Sequence, residues 1–434
     1  MRGAKTLIFL NSIPIRRRPW RGLPLTLTIG VAGLWLATSA GMAQEAVRLS
    51  LAGEAAAQAN SQAAATIGYY NLLLGRVASR FGAGLALQYN DNILSQGQNV
   101  ESDFIFQPGL STQVHVPLTQ QNSVDVSLNA GYSAYVEHPA QNRVFVNPGS
   151  GLAFNLYVGD CVINLHDHFS VTENSYQNPG ARGTSYSQFQ NSAGLNASAD
   201  LNELIVGGDY EHANYLSLGG NAPQPDGQSE NLSANAGLRL RPEFTVGVES
   251  GGTLIRYNGG NTATSPNATQ WSVGGFTRLL VSQYLNVKLD AGYTVYQPDT
   301  SGTNSIAGSS PAYYFDLSVS HQVNRWLGYT LSAGRSTDLG FYGQPYSRYY
   351  VRWSPNWNVL HHFSLTTPVW WQKGTQTYNQ GNAFDQYGAG FTLGRQLTAK
   401  LNGSLSYQFV QETSPQAGNS YVNNIVGLNF TYQF

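Results

Sequence analysis

From Ser79 to the C-terminus the chain alternates apolar and polar residues with a period of two. Val124, Val126, Leu128, Ala130, Tyr132, Ala134 and Val136 share one parity, and Asp125, Ser127, Asn129, Gly131, Ser133, Tyr135 and Glu137 share the other. The same division separates Leu285, Val287, Leu289, Ala291, Tyr293 and Val295 from Asn286, Lys288, Asp290, Gly292 and Thr294. Successive side chains of a strand point to opposite faces, so each segment reads as a strand with one apolar and one polar face. Repeated segments of ~10 or more residues, separated by turn residues, form the pattern of a transmembrane barrel. A soluble sandwich would bury its apolar faces against a second sheet and leave a charged outer face. Here the polar parity holds mainly Asn, Ser, Thr, Gln and Gly.

The reading is an all-β fold: a transmembrane antiparallel up-and-down β-barrel of about 18 strands, with 16 as the alternative count, since bacterial barrels use even numbers. Strands are expected to start near Ser79, Glu101, Asn122, Arg143, Cys161, Gly183, Glu203, Gly227, Glu243, Ser265, Tyr284, Pro311, Trp326, Pro345, His361, Asn382, Thr398 and Ser420. Tight turns such as Gly159-Asp160, Leu201-Asn202, Arg241-Pro242 and Ser282-Gln283 alternate with longer polar loops such as 176–183, 216–227 and 298–310. Short turns belong on the periplasmic side and longer loops outside.

The N-terminus changes the compartment. Arg16, Arg17, Arg18 and Arg21 precede the apolar run Leu25 to Ala37, and small residues then lead to Gly41-Met42-Ala43. These are the parts of a secretory signal peptide, expected to be cleaved after Ala43 and exported by the Sec route. The apolar run is short for a spanning helix, which needs about 20 residues. The division is therefore a signal peptide at 1–43, a periplasmic N-terminal extension at 44–78 and the barrel at 79–434. The extension is Ala-rich and reads as a flexible lead-in, with a helix or plug as the alternative. Leu72-Leu73-Leu74 is apolar enough to touch the lower rim of the barrel.

Composition agrees. The chain has 23 Lys+Arg and 24 Asp+Glu, and losing Arg2, Lys5, Arg16, Arg17, Arg18 and Arg21 with the leader leaves 17 against 24, a net of −7. That balance argues against nucleic acid as a partner. Charged residues are 11% of the chain, well under the roughly 25% of soluble domains. The single Cys161 permits no internal disulfide and is expected to fill a small site near a turn.

Catalytic motifs are absent from the sequence: it contains no G-x-S-x-G, H-E-x-x-H, Walker A or C-x-x-C. His166 and His168 share a strand face without an evident third ligand. No metal site, no cofactor and no enzymatic activity are expected. Parity instead sorts charges and rings onto the lumen wall: Glu249, Arg278, Lys288, Asp290, Asp316, Arg348 and Arg352, with Tyr346, Tyr350 and Trp370. Asp209, Glu211, Arg239 and Lys400 share that parity. Such charges either select solutes or pair to hold the wall together, and the rings either stack on sugars or fill space.

The chain ends V-N-N-I-V-G-L-N-F-T-Y-Q-F, with Phe430, Tyr432 and Phe434 on the apolar parity. This terminus resembles the closing strand of bacterial outer-membrane barrels, which the barrel assembly machinery reads. Tyr70-Asn71-Leu72-Leu73-Leu74-Gly75, then Gly82 to Ile93 with its Tyr89-Asn90-Asp91-Asn92, then Asp103 to Leu110, resembles the start of the putative β-barrel porin 2 family. Asp167 to Thr172 resembles another segment found there. The resemblance implies a porin-like channel in the Gram-negative outer membrane, associated with exopolysaccharide export. The partners it implies are outer-membrane lipid, the assembly machinery, polysaccharide and periplasmic export components. The rival readings are a general diffusion porin for small hydrophilic solutes, a barrel enzyme at the outer rim and a structural anchor.

Overall fold

The structure is a computed structural model that describes residues 70–173, 186–220, 226–258, 267–299, 310–339, 345–359, 363–376, 383–415 and 418–434. The expected signal peptide, and the expected extension as far as residue 69, lie outside the described residues.

The strands follow one another with little else between them. They are β1 (Leu72–Leu74), β2 (Val77–Asn90), β3 (Asp103–Pro117), β4 (Ser123–Tyr135), β5 (Arg143–Val158), β6 (Cys161–Glu173) and β7 (Tyr186–Leu201). Next come β8 (Leu204–Gly220), β9 (Asp226–Arg241), β10 (Phe244–Asn258), β11 (Ala268–Ser282), β12 (Leu285–Pro298), β13 (Ser310–Gln322) and β14 (Leu327–Leu339). The last are β15 (Pro345–Val359), β16 (Phe363–Thr366), β17 (Val369–Gln376), β18 (Ala383–Gln396), β19 (Leu401–Thr413) and β20 (Tyr421–Gln433). From β2 onward each pairs antiparallel with its sequence neighbour, β16 and β17 excepted, and β20 returns to pair with β2 from Gly82 opposite Gln433 to Asn90 opposite Ile425. β16 and β17 both lie between β15 and β18, so they are two halves of one stave. Pro368 separates them, because a proline cannot donate to the ladder. With β1 outside the ring, the described residues form a closed barrel of 18 strands.

The alternation decides what faces where. Leu289, Tyr293, Tyr313, Val351, Trp353, Trp357, Tyr387, Leu405 and Leu428 all stand exposed on the outer face. The opposite parity is polar. A barrel apolar on its outside and polar within satisfies every ladder hydrogen bond while meeting lipid, which places the protein in the outer membrane. Among the described residues no helix is long and apolar enough to cross a membrane.

Both ends of the β2–β20 seam are tied. At the short-turn end, β20 covers β2 from Gly82 onward, and β1 pairs with Val77 to Ser79 beyond it. Between them, Asn71 Nδ2 donates to the Phe81 carbonyl at 2.7 Å, the Phe81 N–H donates to Asn71 Oδ1 at 3.0 Å, and the Phe434 N–H donates to the same carbonyl at 3.2 Å. Leu72–Leu74, expected from the sequence to touch the lower rim, does so as a strand paired with the short-turn end of β2. At the loop end, Asn92 is almost wholly buried and its Nδ2 donates to the carbonyls of Gln96 (2.8 Å) and Val422 (2.9 Å). Asn423 Nδ2 returns a bond to the Asn92 carbonyl at 2.6 Å, and Asn424 donates twice to the Asp91 carboxylate. The Asn90-Asp91-Asn92 segment is therefore a clasp between the first and last strands.

Two sequence expectations are corrected here. Cys161 is exposed at the first position of β6 and fills no internal site. Lys400 sits in the bend before β19, off the wall, because the strand starts one residue later.

Candidate functional site

The inward parity of β10–β18 brings the wall candidates into order. Cross-strand partners lie in rows perpendicular to the strands, and barrel strands are tilted, so each row climbs as it goes round. One row runs Arg278, Lys288, Ser318, Ser332, Arg352, Trp370. It starts near the short-turn end of β11 and continues through Gly388 and Val410 to Asn423, near the loop end of β20. The next row, two residues or about 7 Å along each strand, runs Phe276, Asp290, Asp316, Gly334, Tyr350, Gln372, Gln386, Glu412. The first row is cationic and the second acidic. Arg348 and Glu249 belong to the row beyond, Arg348 opposite Ser336 and Gly374, and Glu249 opposite Gly274.

The rings lie along the wall. Tyr314 crosses Gly292 and Gly274, where any Cβ would collide with it, and its Oη donates to Glu249 Oε1 at 2.8 Å. Those glycines share one cross-strand row with Glu249 and Tyr314, so their missing side chains are what opens the track. Tyr350 lies over Gly334 in the same way and donates to Asp316. Trp370 covers Gly388. Arg348 stacks on the Tyr350 ring at 5.4 Å and reaches Gln372 Oε1 at 3.3 Å, while Arg352 Nε donates to Ser354 Oγ at 3.3 Å. Arg278 stacks on Phe276 at 5.0 Å. Tyr346, higher on β15, meets Phe384 at 6.0 Å between ring centroids. The acidic row continues as a chain, with Gln372 donating to Gln386, and Gln386 Nε2 donating to Glu412 (3.1 Å) and Tyr421 Oη (2.8 Å).

All ten wall candidates therefore point inward, but they do not form one patch. Glu249 and Asp316 are held by tyrosines, whereas Arg278, Lys288 and Arg352 share the cationic row. Tyr314, Gln372, Gln386 and Glu412 were not singled out in the sequence. Parity alone marks them as inward, and their partners become visible with the register. His166 and His168 stack at 5.1 Å, with Glu211 Oε2 3.8 Å from His166 Nε2. Among the described residues no group of three His, Cys, Asp or Glu is placed to hold a metal.

Phe434 and Tyr432 stand exposed on the outer face at the short-turn end, their rings packed edge to face at 5.6 Å.

No protein-family model matches the chain, and no curated protein matches it. Several solved structures are similar to it. Acinetobacter baumannii OccAB3 is 11% identical with a TM-score of 0.47, over 83% of this chain and all (100%) of that one. Pseudomonas aeruginosa OccK2, solved with glucuronate, is 10% identical with a TM-score of 0.49, over 83% of this chain and 99% of that one. A BenF-like porin from Pseudomonas fluorescens Pf-5 is 10% identical with a TM-score of 0.48, over 82% of this chain and 99% of that one. At these values the likeness carries no inference about solute or mechanism.

Proposed function

We propose that the protein is a porin-like channel for small hydrophilic solutes across the outer membrane. The observation that carries this reading is the pair of parallel rows, one cationic and one acidic, climbing the inner wall from β11 toward β20. Barrels of 16–18 strands leave an aqueous lumen. Rows of opposite sign about 7 Å apart set a field across that lumen, which suits hydrated polar solutes and needs no covalent step. Conduction of an exopolysaccharide, implied by the sequence resemblance, is the less favoured reading. The Tyr314 and Tyr350 hydroxyls that would serve a sugar chain are already engaged with Glu249 and Asp316. Planar-bilayer recording of the purified barrel tests the proposal. Stepwise conductance, with liposome swelling by small neutral sugars, is expected. A barrel that inserts and does not conduct overturns it, and loss of surface polysaccharide in a deletion strain would favour the polymer.

The aromatic terminus is assigned to recognition by the assembly machinery. Phe434→Ala should lower outer-membrane yield while the Sec-exported precursor still reaches the periplasm. Equal yield of heat-modifiable barrel would remove that assignment.

A further inference from the structure

The lumen parity of β20 is dry at its loop end. Tyr421, Asn423 and Ile425 are 4%, 1% and 5% exposed, although the interior of a barrel of this size is ordinarily wet. The chain between β2 and β3 lies over them. Asn423 points inward and its Nδ2 donates to the Asn92 carbonyl, so the backbone at Asn92 runs on the lumen side of β20. The Ser95 N–H donates to the same carbonyl at 3.1 Å, and the Ile93 N–H donates to the Glu101 carbonyl at 2.9 Å, which closes the loop at its base. Ile93, Leu94 and Ser95 are 5%, 8% and 0% exposed, as befits a loop folded inward and not one standing in water. Any Cβ at Gly97 would collide with the Ser420 carbonyl oxygen, so the returning limb packs on the residue before β20. Ser95 and Asn99 hold left-handed φ values of 51° and 54°, and the described residues contain one other such non-glycine residue, Asn202. Such conformations persist where the surroundings enforce them, commonly at clamps and switches. The next loop is held in the same way. Asp103, inward at the loop end of β3 and fully buried, accepts from the N–H groups of Val136, Glu137 and His138, and His138 Nδ1 lies 2.9 Å from its Oδ2. The chain leaving β4 is drawn over the lumen face of β3, and His138 Nε2 comes within 3.5 Å of Glu101 Oε2 at the base of the first loop.

We propose that these two loops, residues 91–101 and 136–138, are the size filter of the channel: an inward-folded roof over β20 and β3 that narrows the mouth and admits only small solutes. The proposal rests on the channel reading above and names the part that restricts it to small molecules. Pore diameter is one of the terms that set what a channel passes. The roof is a fixed aperture and not a swinging lid. Its anchors, Asn423 to Asn92 and Asp103 to the 136–138 backbone, are buried bonds between neighbouring strands, and lifting the roof would leave those groups unsatisfied.

Planar-bilayer recording of the full barrel in a Cys161→Ser background tests this. Gln98→Cys places a thiol on the exposed returning limb of the first loop. Methanethiosulfonate reagents of increasing bulk attached there should lower single-channel conductance stepwise, while the same reagents on Leu118→Cys, in a short turn at the opposite end, should leave it unchanged. Replacing residues 94–99 by two glycines should raise conductance about twofold or more, because current follows the open cross-section. It should also extend liposome swelling from monosaccharides to larger oligosaccharides. Heat-modifiable mobility reports whether the replacement folds, and if it does not, the thiol series decides alone. Complete labelling of Gln98→Cys with unaltered conductance overturns the filter and leaves the channel reading standing. A barrel that conducts in neither the wild-type nor the loop-replaced form overturns both.

Discussion

The two faces of β12–β15 carry charge on different terms. Inward, Lys288, Asp316, Arg348 and Arg352 sit among serines, glutamines and tyrosine hydroxyls on the lumen parity, with Asp290 buried in the same wall. Outward, Arg335 stands on the lipid parity and is enclosed. Its guanidinium lies 4.0 Å from the Tyr313 ring and 5.5 Å from the Tyr349 ring. It donates to the Tyr313 carbonyl and, at 3.3 Å, to Ser347 Oγ. The two tyrosine hydroxyls meet at 2.9 Å and close the enclosure. A charge facing the lumen is tolerated because the solvent is polar, while a charge facing lipid persists where ring faces and backbone replace that solvent.

The strongest way to break this contrast is to place a charge outside without an enclosure. Leu289→Arg should cost roughly 2–4 kcal/mol of barrel stability if it lies near mid-bilayer. Asn286→Arg, on the inward parity of the same strand, should change it little. Urea unfolding in lipid vesicles measures both, and equal stability of the two variants would mean that β12 is read with its faces reversed.

A smaller effect comes from opening the existing enclosure. Tyr313→Ala with Tyr349→Ala should cost about 1–2 kcal/mol beyond the lost ring surface, the scale of a desolvated cation–π contact. Replacing the cation as well, by Arg335→Leu in that double variant, should recover much of the loss. If the triple variant is no more stable than the double, the rings are supporting the wall and not the charge.

Removing inward charge should leave stability nearly untouched and act on transport. Arg348 and Arg352 lie about 13 Å apart along β15. Arg348→Ala with Arg352→Ala should give normal yield and shift the reversal potential in a salt gradient toward cations. Lower yield with unaltered selectivity would instead assign these arginines to wall cohesion. Asn92→Ala, at the seam, should lower stability by about 1–3 kcal/mol, because it leaves the buried clasp partners unsatisfied. Thermal loss of heat-modifiable mobility reports it.

The amino-acid sequence by itself determined the strands, their approximate number and the face each residue takes. Each strand of the ring starts within about three residues of the position the alternation marks, because a period of two and the turn residues are local properties. For the same reason the ten wall candidates were legible as inward. The break at Pro368 was not read, and the rim contact expected of Leu72–Leu74 was not read as strand pairing. Both depend on neighbours: the first on a ladder partner for an absent N–H, the second on the stretch of β2 that β20 leaves uncovered. Which inward residues become neighbours was decided by the tertiary structure alone. Register and shear are set around the whole ring, so no single strand reveals that Tyr314 reaches Glu249 across two glycine-bearing strands. Nor does it reveal that Asn92 clasps Asn423. A residue's face follows from its own strand, while its row follows from how the barrel closes.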